Sequence, residues 1–315
     1  MMRFPPILIL GASGRIGGLL RMCWDGAGQD LRWQCRRVQG ADRTDQPGQG
    51  WHVFDPLADP AALQQVARGA AATLCLAGPV PGGGAGRDLS AGQFAQHKDL
   101  ALAVLDAAAR ARDDGPAALP GRVLLASSAA VYGVTPGPLH EDTPLAPVAP
   151  YGVAKAEMEQ AATTRATELG LEVTLLRIGN IAGLDAILGG WRPGFSLDEW
   201  ADGRTPRRSY IGPRTLADVL ATLVCTADLP QVLNIAQPGL VSMGGLLQAA
   251  ALDFGRRPAP DHAIAEVQLD VARLIGLLAA QPSPAAGLPL SLPLATSADL
   301  VNEARQLDLL PNSRS

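Results

Sequence analysis

The sequence predicts an α/β fold in which helices cover both faces of a doubly wound parallel sheet. The apolar run Ile7-Leu8-Ile9-Leu10 is typical of a parallel strand that is buried on both faces. A glycine-rich turn, residues 11–18, follows it directly and leads into a helix-like segment. Further apolar strands then alternate with helical segments, which is the pattern of a doubly wound sheet. We expect a smaller substrate-binding region at the C-terminal end.

The overall composition indicates a soluble globular protein. The chain has 315 residues, of which 47% are hydrophobic and 18% charged, so it can bury a large core. Its net charge of −4 comes from interspersed charges of both signs, which argues against a nucleic-acid partner. The apolar run at residues 5–10 is too short to cross a membrane and lacks a cleavage-like end, so we expect neither a membrane span nor a signal peptide.

The cysteines give no indication of a metal or disulfide framework. They are scattered, without a Cys-x-x-Cys motif or a nearby histidine, at Cys23, Cys35, Cys75 and Cys225. This pattern predicts reduced thiols in a cytoplasmic protein and no metal site.

The glycine turn after the first strand predicts a nucleotide site. Glycines allow backbone N–H groups to approach a pyrophosphate at a helix N-terminus. A purely structural turn is the alternative. The residues expected to contact the cofactor here are Gly11, Ser13, Gly14, Arg15, Ile16 and Gly17.

The second strand, predicted at residues 31–35, ends in two arginines that bear on the choice of cofactor. An acidic residue at this place binds the ribose hydroxyls of NAD, whereas an arginine suits the additional phosphate of NADP. The strand end carries Arg36 and Arg37 and no Asp or Glu. We therefore predict NADP, held by both arginines, with NAD as the second choice. A solvated strand edge is the alternative.

The third and fourth strands should complete the cofactor side of the sheet. Residues 51–55 predict a strand whose terminal Asp55 is placed to contact the adenine. Asp59-Pro60 is a helix start, and we predict a helix to residue 68. Residues 73–78 predict the next strand, and a glycine at its end lets the cofactor pass close to the backbone. The cofactor contacts expected there are Leu76, Ala77 and Gly78.

The later segments continue the alternation of strands and helices. Apolar periodicity or a start signal predicts helices at residues 91–112, from Pro150 onward, and at 215–226, 242–253 and 299–307. Further strands are predicted at residues 122–128, 171–178 and 231–236. Irregular segments are predicted at residues 79–86, 189–208 and 280–293, of which the first is rich in glycine and the last in proline.

A tyrosine and a lysine four residues apart form the candidate catalytic pair. Because Pro150 predicts a helix start, Tyr151 and Lys155 would lie on one face of that helix. A free tyrosine has a pKa of about 10 and is a poor base at neutral pH. A cation near its oxygen lowers that pKa. The alternative is an ordinary amphipathic helix.

Candidate ligand-binding residues fall at the carboxyl ends of several predicted strands. Ligands collect at that edge of a doubly wound sheet. Gly11, Arg36, Gly78, Ser128 and Asn180 all occupy such positions. We therefore expect one site there, which holds a nucleotide cofactor and a small-molecule substrate.

These motifs together resemble the extended short-chain dehydrogenases/reductases, and in particular the NAD(P)-dependent epimerase/dehydratase family. The resemblance covers about residues 5–240. Its motifs are the glycine turn, Ser127-Ser128-Ala129-Ala130-Val131-Tyr132-Gly133, Glu141-Asp142-Thr143-Pro144, Tyr151-Gly152-Val153-Ala154-Lys155, Asn180 and Arg208-Ser209-Tyr210-Ile211. It implies a Rossmann domain of residues 1–180 plus about 208–237. It also implies a substrate-binding region of about residues 181–207 and 238–315.

The resemblance implies roles for individual residues. Tyr151 would be the acid/base, and Lys155 would bind the nicotinamide ribose and lower the pKa of Tyr151. Ser128 would hydrogen-bond the reacting oxygen, with Ser127 as the second choice. A structural salt bridge is the alternative for Arg208. The substrate site would contain Ser128, Asn180 and Arg208.

Several positions depart from the family's pattern. Ala129 and Ala130 stand where the sugar-nucleotide 4,6-dehydratases carry an acidic pair, so dehydration is disfavoured. His97 stands where the family often has an asparagine. The segment between Asn180 and Arg208 is shorter than in typical sugar-nucleotide epimerases, which favours a smaller substrate.

The sequence thus predicts an NADP-linked epimerase or reductase acting at a hydroxyl or ketone carbon of a sugar-like substrate. A sugar-nucleotide epimerase with tightly bound NAD is a second hypothesis, and a non-catalytic NADP-sensing protein is a third. Helices equivalent to residues 91–112 and 151–169 pair in many relatives, so we expect a homodimer.

Overall fold

The computed structural model describes residues 4–24, 31–37, 50–81, 91–113, 121–284 and 287–311. Parts of the predicted irregular segments at residues 79–86 and 280–293 lie outside these ranges. The strands are β1 Ile7–Leu10, β2 Leu31–Cys35, β3 Trp51–Val53, β4 Ala72–Cys75, β5 Arg122–Ser128, β6 Pro138–Leu139, β7 Val173–Ile178, β8 Asn180–Ile181, β9 Ser196–Glu199, β10 Arg207–Arg208, β11 Tyr210–Ile211, β12 Val232–Ile235, β13 Val241–Ser242, β14 Gly255–Pro258 and β15 Glu266–Leu269. The helices are α1 Arg15–Cys23, α2 Pro60–Ala67, α3 Ala91–Phe94, α4 Gln96–Asp113, α5 Pro150–Leu169, α6 Pro213–Cys225, α7 Met243–Ala249, α8 Ala272–Ala280 and α9 Ser297–Gln306.

A sheet of seven strands forms the centre of the fold, in the order β12-β7-β5-β4-β1-β2-β3. Every pairing in this sheet is parallel. The strand order reverses between β1 and β4, and a crevice opens there at the carboxyl ends of the strands. The predicted fold class, a doubly wound Rossmann sheet, is therefore confirmed.

Alternate residues of the central strands pack into two apolar cores, one on each face of the sheet. In β1, Ile7 and Ile9 belong to one core, and Leu8 and Leu10 belong to the other. All four side chains are fully buried, which accounts for the unbroken apolar run. Helices α1 and α6 cover the first face, and α2, α4 and α5 cover the second.

Local sequence accounts for the ends of the helices beside the crevice. The Asp59 side chain accepts a hydrogen bond from the Ala62 N–H at 2.9 Å and so caps α2. Pro150 occupies the first turn of α5, where its missing N–H costs nothing. That helix ends at Gly170, whose φ of 59° suits a glycine C-cap.

A third apolar core lies in the C-terminal region. It contains side chains from α7, α9 and the segment after β8. Small sheets surround it, with the strand orders β13-β10-β15-β6, β14-β9 and β11-β8. The predicted irregular segment at residues 189–208 therefore contains β9 and β10. Strands of two to four residues show no clear periodicity, and their partners are distant in sequence.

Other differences concern the extent of helices. The predicted helix at residues 91–112 is interrupted at Ala95, which gives α3 and α4. The helix predicted at 242–253 already ends at Ala249. Helix α8 was not predicted, although its apolar residues have a helical spacing. None of the described helices is both long and apolar enough to cross a membrane.

Candidate active site

A cleft along the carboxyl ends of the central strands consists of two adjoining cavities. The first has a volume of about 460 Å³ and extends from the glycine turn to Arg36 and Asp55. The second has a volume of about 390 Å³ and is lined by Ser128, Tyr151 and Lys155. An extended ligand would therefore have one end at Arg36 and the other at Tyr151. The residues shared by the two cavities are Gly14, Leu76, Ala77 and Gly78.

The glycine turn brings neighbouring backbone segments into close contact. Gly11 has a φ of 81°, and a Cβ at this position would lie 2.8 Å from the Cα of Ala77. A Cβ on Gly17 would lie 2.5 Å from the carbonyl oxygen of Gly11. Gly14 precedes α1 and offers no side chain to cap it, an arrangement that suits a pyrophosphate at the helix N-terminus. The turn and the continuous cleft therefore fit a dinucleotide cofactor.

The first cavity contains a buried glutamine that the sequence did not indicate. The Gln34 side chain donates to the carbonyl oxygen of Phe54 at 2.6 Å and accepts from the Gly11 N–H at 3.2 Å. It thus ties together the ends of β1 and β2 and the residue after β3. Because polar and apolar residues alternate in β2, with Arg32 also polar, the burial of Gln34 could not be predicted from sequence.

The two arginines after β2 differ in position. Arg36 is exposed and lines the first cavity together with Asp55. Arg37 is also exposed but is not among the residues that line this cavity. The position of Arg36 is therefore consistent with its predicted role as a phosphate ligand. The position of Arg37 does not support this role.

The second cavity brings together the three predicted catalytic residues. The Ser128 hydroxyl at the end of β5 lies beside the phenol of Tyr151 at the start of α5, where it acts to lower the pKa of the tyrosine. Lys155, one helical turn later, is 4% exposed and donates to the carbonyl oxygen of Ala126 at 2.6 Å. Its Nζ lies 5.9 Å from the centre of the Tyr151 ring. Serine, tyrosine and lysine therefore converge on one side of the cavity.

Burial has the largest effect on the pKa values of Tyr151 and Lys155. It raises the pKa of Tyr151 to about 12, against smaller opposing effects of the Ser128 hydrogen bond and the Arg15 charge. Burial also lowers the pKa of Lys155 to about 8. The expected lowering of the Tyr151 pKa is therefore not found in the protein itself, because removing the phenolate from water outweighs the nearby cations.

The structure distinguishes between the two adjacent serines. The Ser127 hydroxyl donates to the Glu159 carboxylate at 2.5 Å, away from the tyrosine oxygen. Ser128 instead lies beside Tyr151 and also caps the 3₁₀ turn that follows β5. Ser128 is therefore the serine in position to hold a reacting oxygen.

His97, which stands where the family often has an asparagine, binds a backbone carbonyl beside the cleft. Its Nε2 donates to the carbonyl oxygen of Pro79 at 2.8 Å, and its Nδ1 is buried without a hydrogen-bond partner among the described residues. Burial, together with the Lys155 charge, lowers the pKa of His97 to about 3. A Cβ on Gly78 would lie 2.3 Å from this Nδ1, so the histidine can occupy its place only opposite a glycine.

The substrate side of the cavity is formed by β8 and the residues after it. Asn180 lines the cavity, and its strand pairs with β11, which places Tyr210 opposite it. The Tyr210 phenol lies near the Asn180 side chain and donates to the Asp185 carboxylate at 2.8 Å. Tyr210 and Asp185 were not predicted, because only the pairing of β8 with β11 brings them together.

Arg208 lies outside the lining of this cavity. Its guanidinium donates to the carbonyl oxygens of Arg207, Ile264 and Ala265 at 2.8, 2.9 and 3.2 Å. The expected contact between Arg208 and substrate is thus not supported. The alternative of a structural role is supported, although through backbone carbonyls and not through a salt bridge.

The parallel sheet, the glycine turn and the serine, tyrosine and lysine beside one cleft define a protein of the short-chain dehydrogenase/reductase type. Residues 7–187 match the model of the NAD dependent epimerase/dehydratase family, and the chain belongs to that family. The proposed resemblance is thereby confirmed.

Individual relatives are more distant. A UDP-glucose 4-epimerase from Azospirillum brasilense is 40% identical over 65 residues, which is 20% of this chain and 19% of that protein. The match thus spans about a fifth of that relative's length.

The crystal structure of a short-chain dehydrogenase/reductase superfamily protein from Agrobacterium tumefaciens with bound NAD is 19% identical, with a TM-score of 0.68 over 96% of this chain and 97% of the other. The UDP-N-acetylglucosamine 4-epimerase from Methanobrevibacter ruminantium M1, in complex with UDP-N-acetylmuramic acid, is 18% identical, with a TM-score of 0.73 over 98% and 99% of the two chains. At these identities the two structures establish the shared fold.

Proposed function

We propose that the protein is an NADP-linked epimerase or reductase that transfers a hydride at a hydroxyl or ketone carbon of a sugar-like substrate. The observation that carries this proposal is the position of Tyr151. Its phenol lies beside Ser128 and shares a cavity with Lys155, next to the cavity entered from the glycine turn. A protein that only senses NADP has no need of an acid/base there, so the non-catalytic hypothesis is the weaker one.

The proposed mechanism assigns one task to each residue. The nicotinamide cofactor supplies the hydride chemistry when bound. Tyr151 exchanges a proton with the substrate oxygen, Ser128 holds that oxygen by a hydrogen bond, and Lys155 donates to the ribose. Because burial raises the pKa of Tyr151 to about 12, the protonated phenol is favoured, which suits proton donation to a ketone during reduction. Oxidation would require the phenolate, which the charges of Lys155 and Arg15 would stabilise.

The choice of NADP rests on Arg36. This arginine lines the first cavity near Asp55, and no acidic residue stands at the end of β2. NAD is the second choice, because the family description names NAD and the Agrobacterium tumefaciens structure contains it. Elimination is not proposed, since Ala129 and Ala130 follow Ser128 and offer no acid or base.

A sugar-nucleotide epimerase with tightly bound NAD is the second candidate function. The local match to a UDP-glucose 4-epimerase favours it. In that case the purified protein should retain NAD through gel filtration and should not bind NADP. Release of NAD with binding of NADP would favour the first candidate.

Domain organisation, oligomeric state and cellular location are also proposed. We propose that residues 1–180 with about 208–237 bind the cofactor, and that about 181–207 and 238–315 bind the substrate. A homodimer formed through α4 and α5, in the cytoplasm, is the expected form. Light scattering of the purified protein would test the dimer.

The variant Tyr151→Phe tests the central assignment. It should abolish turnover, because the acid/base hydroxyl is removed, while cofactor affinity stays within about threefold, because the ring remains in place. A panel of sugars, sugar nucleotides, sugar acids and small ketones with NADPH and NADH provides the assay. Undiminished activity of the variant would refute the role of Tyr151.

A further inference from the structure

The substrate side of the second cavity carries one carboxylate, that of Asp185, among the described residues that line it. Its Oδ1 accepts from the N–H of Leu188 at 2.9 Å and, at longer range, from the N–H of Gly189 at 3.5 Å. Its Oδ2 accepts from the Tyr210 phenol at 2.8 Å. A carboxylate has about four acceptor positions, so one position on Oδ2 is left for a ligand in the cavity.

The orientation of this carboxylate is fixed by buried groups. Tyr210 is fully buried, and its strand pairs with that of Asn180, which lies opposite it. Burial raises the pKa of the Asp185 carboxyl, because the ionised form is separated from water. The protein leaves one acceptor position of the Asp185 carboxylate without a hydrogen bond. A hydrogen-bond donor on a ligand would therefore stabilise the ionised carboxylate.

The positive charges around this cavity are already engaged. The described residues that line it include two cations, Arg15 and Lys155. The Arg15 guanidinium donates to the carbonyl oxygens of Leu184 and Pro81 at 2.8 and 3.1 Å. The Lys155 ammonium lies on the cofactor side and donates to a backbone carbonyl. Neither cation is directed at the space beside Asp185 by a contact in this structure.

Several arginines of the C-terminal region form ion pairs with carboxylates of the protein. A diphosphate group would have to compete with carboxylates for each of them. The ion pairs are Arg204–Asp202, Arg207–Glu266, Arg256–Glu199 and Arg257–Asp198. Arg208 is bound by three backbone carbonyls instead.

The volume of the cavity also limits the ligand. At about 390 Å³ it is at the low end of the range of roughly 300–1,000 Å³ for small-molecule sites. The nicotinamide end of the cofactor would share this space. A substrate of the size of a single sugar fits these limits better than one that carries a nucleoside diphosphate.

We propose that Asp185 recognises a hydroxyl or amino group of a small polyhydroxy substrate, such as a free sugar or a sugar-derived polyol, and that the site rejects nucleoside diphosphate sugars. This inference rests on the proposed function and narrows its substrate class. A donor on the substrate completes the hydrogen bonds of the carboxylate. A phosphate at the same place would meet the like charge of the Asp185 carboxylate.

Binding to the wild-type protein tests this proposal directly. With saturating NADP, free sugars, amino sugars and sugar alcohols are compared with UDP, UDP-glucose and glucose 1-phosphate by thermal shift and by isothermal titration. At least one neutral or amino compound should bind, whereas UDP and UDP-glucose should show no binding at millimolar concentration. Micromolar binding of UDP-glucose would overturn the proposal, as would the failure of every sugar and polyol.

The variant Asp185→Asn tests the residue itself. It keeps the size of the side chain and removes the charge, so the KM for the neutral substrate should rise at least about tenfold with NADP affinity within twofold. Asp202→Asn is the matched control, because that carboxylate is exposed and pairs with Arg204 away from the cavity. The same KM in both variants would overturn the role of Asp185. The wild-type binding experiment still decides the substrate class if Asp185→Asn does not fold.

Failure of this inference can be separated from failure of the proposed function. Tyr151-dependent turnover of UDP-glucose would overturn the inference and leave the hydride-transfer proposal standing. Absence of any NADP or NAD binding, measured by fluorescence quenching, would instead overturn the proposed function.

Discussion

The Ser127 hydroxyl donates to the carboxylate of Glu159 at 2.5 Å, within a polar network that is buried among the central strands. The Arg177 guanidinium binds the same carboxylate at 2.7 Å, and both side chains are almost fully buried. Arg177 also donates to the phenol of Tyr132 at 2.8 Å, and that phenol donates to the side chain of Asn234. The network therefore joins β5, α5, β7 and β12, and two of these elements carry the candidate catalytic residues.

Replacing Glu159 by glutamine should strongly destabilise the protein. The change leaves the Arg177 charge buried without a carboxylate, which costs about 3–5 kcal/mol in comparable pairs. Urea unfolding should show this loss in the free energy of unfolding. Glu168→Gln is the matched control on the same helix, because the Glu168–Arg165 pair is largely exposed and worth less than about 1 kcal/mol. Equal losses in the two variants would contradict the structural role of Glu159.

Alanine variants of the two adjacent serines should differ in their effects, because one should lower stability and the other should lower activity. Ser127→Ala removes a hydrogen bond to a buried carboxylate, so the free energy of unfolding should fall by about 1–3 kcal/mol while kcat is largely retained. Ser128→Ala removes the hydroxyl beside Tyr151, so kcat should fall about a hundredfold with little change in stability. Urea unfolding and steady-state kinetics on both variants provide the measurement. The opposite pattern would assign the reacting oxygen to Ser127.

The central fold could be predicted because short stretches of sequence determine its strands, turns and helix starts. The apolar run of β1, the glycine turn and the Asp59-Pro60 cap each act over a few residues. The short strands of the C-terminal region are different, because β8 and β11 are defined by their pairing and not by their own sequences. Their positions follow from packing between distant segments.

The candidate site likewise combines features set by local sequence with features set by contacts between distant segments. Tyr151 and Lys155 could be placed together from helical spacing alone. The register of Ser127 and Ser128 could not, since only the side-chain contacts show which hydroxyl meets the tyrosine. The surroundings of Arg208 could not be predicted for a related reason: a sequence motif identifies the residue but not the carbonyls that surround its guanidinium.

Arg36 should determine the preference between the two cofactors. Arg36→Ala should weaken NADP binding at least about tenfold, because a charge-assisted contact to phosphate is lost, and should change NAD binding at most about twofold. Arg37→Ala is the matched control, since this exposed neighbour does not line the cavity. Fluorescence titration gives both affinities. Equal losses for NADP and NAD in Arg36→Ala would remove Arg36 from the phosphate site.

Lys155 should make cofactor binding depend on pH. Burial lowers its pKa to about 8, so the ammonium loses its proton as the pH rises through that value. A neutral amine is a weaker donor to the ribose hydroxyls, and cofactor affinity should therefore fall within about one pH unit of 8. In Lys155→Arg the guanidinium remains charged over this range, so the affinity should stay constant. Fluorescence titration at fixed ionic strength gives both profiles.

Unfolding provides an independent measure of the same pKa. Between about 8 and the ordinary value of 10.5, the unfolded chain holds a proton on Lys155 that the folded protein lacks. The contribution of this group to stability should therefore rise with pH across that window, and the rise should be absent in Lys155→Met. Difference profiles of the free energy of unfolding against pH, wild type minus variant, isolate this contribution from other titrating groups. A flat difference profile would mean that the Lys155 amine is not desolvated, and the expected pH dependence of cofactor binding would then lose its basis.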